Sequence, residues 1–204
     1  MKLPQLHESV ILIDSEFLIS KINECYDFYS DLYPDREFPK LELSDVIDSI
    51  ASTSKITNGS DEINVLFLYR INNDALPYTS EPNNLFLFND FTNKPITCTI
   101  NNCRYDVASF YSDPETDDDF EYMEEFSQLL RQISYDDATF NICLVADNNY
   151  YNYFLETFEE MLDKAFFVFR GTDYEIGIDQ SPKFHYVNFD YVLASCMGLK
   201  QSEW

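Results

Sequence analysis

The segment Val65-Leu66-Phe67-Leu68-Tyr69 is apolar at every position. An extended run of this kind must be covered on both faces, which is the condition of a central parallel strand packed between helices. Two further apolar strands, Val10-Ile11-Leu12-Ile13-Asp14 and Ile142-Cys143-Leu144-Val145-Ala146-Asp147, each end on an aspartate. Helical patterns follow both, so the chain reads as βα units. The expected fold is a three-layer α/β sandwich with a mostly parallel, doubly wound sheet and a β-hairpin or irregular insertion, formed by residues 1–204 as one domain.

Between these strands, Phe17, Leu18, Ile22, Cys25, Tyr26, Tyr29 and Leu32 recur at helical spacing, a helix that Pro34 stops and that Asp14 or Ser15 caps. Residues 41–50 carry a shorter helical pattern, and the strand of residues 63–71 is expected beside the first. Residues 72–94 read as an irregular excursion, rich in Asn and Pro. Asn101-Asn102 between two extended segments marks a hairpin. A helix over about 120–134 carries Met123, Phe126, Leu129, Leu130 and Ile133 on one stripe. A helix over 150–164, a fifth strand over 165–169 and a closing helix over 189–197, ended by Gly198, complete the reading.

Composition narrows the function classes. The chain has 37 acidic and 13 basic residues, a net charge of -24, yet it is 45% hydrophobic and 17% aromatic, which excludes a disordered acidic tail. The charge repels polyanions and anionic membranes, and the scattered basic residues form no nucleic-acid footprint. A basic protein partner fits this balance. No apolar run spans a bilayer, so the expectation is a cytoplasmic protein without membrane contact. Five widely spaced cysteines read as reduced core thiols, and Cys98 with Cys103 lacks a distinctive zinc spacing. Only four glycines are present, so no phosphate-cradling loop exists.

Ligand sites of open parallel sheets form beyond strand carboxyl ends where strand order reverses, so Asp14 and Asp147 are expected in one crevice. Capping of the following helices accounts for both equally well, since Asp is a good N-cap. Around them stand Ile13-Asp14-Ser15-Glu16-Phe17 and Val145-Ala146-Asp147-Asn148-Asn149-Tyr150. These resemble the Ile-Asp-Gly-Glu-Asn and Ser-Gly-Asp-Ser-Asp-Phe motifs of NYN domains, the branch of PIN-like ribonucleases, with element order similar over residues 8–170. The resemblance implies Mg²⁺ or Mn²⁺ held by Asp14 and Asp147 as catalytic ligands, Glu16 in support, and a helix carboxylate from Glu121, Glu124 or Glu125, with Glu124 the choice carried forward. It implies a metal-dependent ribonuclease of single-stranded RNA, or a non-catalytic relative. Phe17 and Asn149 depart from the motifs, and Asn149 removes an anionic ligand. The alternative is an acidic interaction domain that uses the fold as scaffold.

Other patterns carry less. Asp113, Glu115, Asp117, Glu121 and Glu124 match the ligand positions of a calcium loop, but Asp118 stands where its glycine belongs and a strand precedes it. A solvated acidic loop accounts for the run. His7 is read in a loose terminus and His185 as packed or half-exposed, with no nucleophile beside either. The cluster Tyr150-Tyr151-Asn152-Tyr153-Phe154 is expected as part core and part surface, with base stacking the other use of such a cluster.

Overall fold

A computed structural model of the protein describes residues 2–39, 41–58, 61–70, 96–112, 119–147, 164–170 and 184–203. In chain order the elements are β1 (Ser9–Asp14), α1 (Ser15–Leu32), α2 (Leu43–Thr53), β2 (Glu62–Arg70), β3 (Ile96–Ile100), β4 (Cys103–Ser112), α3 (Asp119–Ser134), β5 (Asn141–Val145), β6 (Ala165–Arg170), β7 (Phe184–Asn188) and α4 (Phe189–Cys196). Short 3-10 turns lie at Ile56–Asn58 and Gln201–Glu203.

Among the described residues, seven strands form one sheet in the order β3-β4-β2-β1-β5-β6-β7. Every neighbouring pair is parallel except β3 with β4. The fold is thus mixed α/β on a mostly parallel sheet. Strand order reverses at β1: the chain moves outward to β2 on one side, then crosses back through α3 to place β5 on the other.

Alternation along each strand divides the interior in two. Ile11, Ile13, Val65, Phe67, Tyr105, Val107, Cys143 and Val145 share a core with the buried faces of α1, α2 and α4. Val10, Leu12, Leu66, Leu68, Ile142 and Leu144 share a second core with Tyr122, Phe126, Leu129, Leu130 and Ile133 of α3. The buried stripe of α3 therefore starts at Tyr122, not at Met123 as expected, because Tyr122 lies four residues before Phe126 and repeats the helical row. No described helix is long and apolar enough to cross a membrane.

Two expectations are corrected. β7 is a strand of the sheet, which the alternation-poor sequence Phe184-His185-Tyr186-Val187-Asn188 does not announce; His185 within it is exposed and stacks on Phe167 at 5.0 Å. His7 is not in a loose terminus: its Nε2 lies 2.8 Å from Asp106 Oδ2, its Nδ1 3.5 Å from Glu62 Oε2, and its N–H donates to Asn64 Oδ1. Residues 72–94, the calcium-loop positions 113–118, the aromatic cluster of residues 150–154 and all but Lys164 of the helix expected over 150–164 lie outside the described residues.

The carboxyl end of the chain closes on the first helix. Arg36 donates from Nη1 to Glu203 Oε1 at 2.8 Å and from Nη2 to the Gly198 carbonyl at 2.9 Å, while the Tyr33 hydroxyl donates to the Glu203 carbonyl at 3.1 Å. Gly198, at φ 77, ends α4 as its left-handed stop.

At the sheet edge Ile100 pairs with Cys103 across Asn101 (φ 49) and Asn102 (φ 68). Two consecutive positive φ values are those of a type I′ turn, whose twist matches the flanking strands. Asn102→Gly should leave thermal stability unchanged or slightly higher. Asn102→Val should lower it by roughly 1–2 kcal/mol, the cost of a β-branched residue in the left-handed region. Paired thermal melts check both.

Candidate functional site

All six residues of β1 are buried, and the strand ends on Asp14, which is 2% exposed. An aspartate is suited to this corner because its short side chain reaches back to the first free amides of the helix that follows. At φ -75 and ψ 111, Asp14 is the N-cap of α1: its Oδ1 accepts from the Glu16 N–H at 3.0 Å and the Phe17 N–H at 3.3 Å.

A third partner arrives from α3. The Tyr122 hydroxyl lies 3.0 Å from Asp14 Oδ1 and 2.9 Å from the Leu68 carbonyl, so the first turn of α3 pins the ends of β1 and β2 together. Tyr122 is fully buried. Nothing in the NYN-like motifs points to it; its row with Phe126 was the available signal.

Burial pushes the Asp14 carboxyl up to about 7. The Phe17 N–H and the Tyr122 hydroxyl lower it, the neighbouring Glu16 carboxylate raises it, and the Glu16 N–H lowers it slightly. Desolvation wins because the carboxylate has exchanged water for a helix terminus and one phenol.

The other expected site residues lie at the end of β5, on α1 and on α3. Ile13 pairs with Val145, which sets Ala146 level with Asp14 and Asp147 one residue beyond, two residues past the end of β5. Asp147 and Glu16 are half-buried, Glu16 in the first turn of α1. On α3, Glu124 is exposed and Glu121 half-buried; Glu125 has a buried Oε2 without a hydrogen-bond partner among the described residues. Among the described residues, no group of three or more His, Cys, Asp or Glu is arranged to hold a metal ion.

Mg²⁺ requires oxygen lone pairs presented in a near-octahedral shell. On Asp14, Oδ1 is engaged by two backbone N–H groups and by the Tyr122 hydroxyl, whose single proton it shares with the Leu68 carbonyl. Among the described residues, the carboxylates that the motifs name form no group of three that could hold the ion. What the arrangement does is join β1, β2, α1 and α3 at one buried carboxylate.

The sign of the resulting pH dependence follows from the shift. The folded state holds the Asp14 proton more tightly than the unfolded chain, so its contribution to stability is complete below about pH 4 and is lost as pH rises through about 7. Asp14→Asn keeps a good cap and abolishes that loss. Between pH 4 and 8 the variant should gain roughly 2–4 kcal/mol relative to the wild type. Denaturant titrations across the range measure it, and parallel curves for the two proteins refute it. Tyr122→Phe removes one donor from Asp14 and should cost about 1–2 kcal/mol at pH 8 in the same measurement.

No curated protein and no solved structure matches the chain. A family model described as "Family of unknown function (DUF6621)" matches residues 4–204, and the chain belongs to that family.

Proposed function

We propose that this chain is a PIN/NYN-like three-layer α/β sandwich whose switch-point carboxylate has become structural, and that it acts as an acidic interaction domain for a basic protein partner. The observation that carries this reading is the engagement of Asp14 Oδ1 by the Glu16 N–H, the Phe17 N–H and the Tyr122 hydroxyl in a side chain only 2% exposed. A buried carboxylate oxygen bonded to a helix terminus and to a phenol from a second helix serves the joint between those elements. The reversal of strand order between β1 and β5 supports the PIN/NYN-like part of the reading. The net charge of -24 supports a cationic partner, since it speeds encounter with basic surfaces and opposes approach of RNA.

A second reading has one observation in its favour. Asp14 and Asp147 flank the switch point, where Mg²⁺ or Mn²⁺ held between them would serve a ribonuclease. Calorimetric titration of both ions into wild type and Asp14→Asn/Asp147→Asn, with single-stranded RNA incubated in the same samples, separates the two. The scaffold reading expects no saturable heat that the double variant lacks, and intact RNA throughout. Metal binding together with cleavage, both absent from the double variant, would overturn it in favour of the nuclease.

A further inference from the structure

The exposed face of α1 carries a pattern that capping does not account for and that core packing explains only in part, since Phe28 meets the buried Tyr29 edge-on at 5.0 Å yet stays largely exposed. Glu24, Phe28 and Leu32 form one row at four-residue spacing, with Asp27 and Asp31 in the row beside it, and all five are exposed. Phe28 is 61% exposed and Leu32 52%. Two large apolar side chains one turn apart, framed by carboxylates, continue into exposed Asp35 and Glu37 beyond the helix.

Two local costs mark this surface. Carboxylates in the last turns of a helix oppose its dipole, and α1 has no basic residue in its last turn. The nearby cations are already committed: Lys21 to Glu24 at 2.6 Å, and Arg36 to Glu203 and the Gly198 carbonyl. Asp27 and Asp31 have no ion pair among the described residues. Solubility alone would be served by polar residues at positions 28 and 32.

We infer that the solvent face of α1 between Glu24 and Leu32 docks a basic amphipathic helix of a partner protein, a docking site that rests on the acidic-interaction reading above. The apolar row is matched by a partner helix presenting two apolar residues at four-residue spacing. The flanking carboxylates are matched by its lysines and arginines, which also sets its orientation. The face spans about 12 Å along α1, two turns of a crossing helix. A second copy of this chain is a poor occupant, because both copies carry a net charge of -24.

The test titrates wild-type protein into a fluorescently labelled leucine-lysine amphipathic peptide and reads anisotropy at low and high salt. Phe28→Ser/Leu32→Ser should weaken binding at least about tenfold, on the scale of losing an interface anchor. Asp27→Asn/Asp31→Asn should weaken it several-fold and flatten its salt dependence. Asp61→Asn/Asp137→Asn, which removes the same charge from exposed sites elsewhere, should change it less than about twofold. Circular dichroism melts establish that each variant is folded. Equal weakening by the control pair would overturn the α1 site and leave the acidic scaffold standing. A wild type that binds no basic peptide would overturn both. Preference of the Phe28 and Leu32 face for phosphatidylcholine vesicles would overturn the helical partner.

Discussion

The burial of β1 on both faces and along both edges is the constraint from which the rest of the molecule follows. A six-residue strand with no side toward water needs a parallel neighbour on each edge and an apolar core on each face. The alternation of Val10 and Leu12 against Ile11 and Ile13 then assigns α3 to one core and α1, α2 and α4 to the other. Any polar group at the end of such a strand enters a dry corner. Asp14 tolerates that corner because a helix terminus and a phenol replace its water, and its elevated proton affinity records how incompletely they do so.

That incompleteness bears on how the candidate site is understood. A carboxylate at a topological switch point with raised proton affinity has two of the usual marks of a functional group. Its hydrogen bonds add a further role: two amides of α1 and the Tyr122 hydroxyl on one oxygen make it a joint between elements. Asp147, half-buried, lies one residue beyond the level of Asp14 on the neighbouring strand.

Much of this was legible in the sequence where local chemistry is strong. The three apolar runs announce β1, β2 and β5; Asn101-Asn102 announces its turn; Pro34 and Gly198 announce the ends of their helices. β7 escaped because Phe184-His185-Tyr186-Val187-Asn188 is short and only weakly alternating, and its pairing with β6 comes from tertiary position. His7 escaped for the same reason, as its partners Glu62 and Asp106 lie far along the chain. The chemistry of Asp14 was half legible. Its capping role follows from the helix after it, whereas Tyr122 is 108 residues away and reaches it only because α3 crosses beneath the reversal of the sheet.

The closure of residues 198–203 onto Arg36 and Tyr33 joins segments separated by more than 160 positions. These bonds are few and lie near the surface, yet they tie the exit of α1 to the exit of α4. Fraying of one segment therefore weakens the hold on the other. Opening either segment gives up the same three bonds, which couples their loosening at the low-stability end of the molecule. The exit of α1 is also where its exposed apolar row ends, at Leu32. A partner seated on that row would slow the release of the tail without touching it.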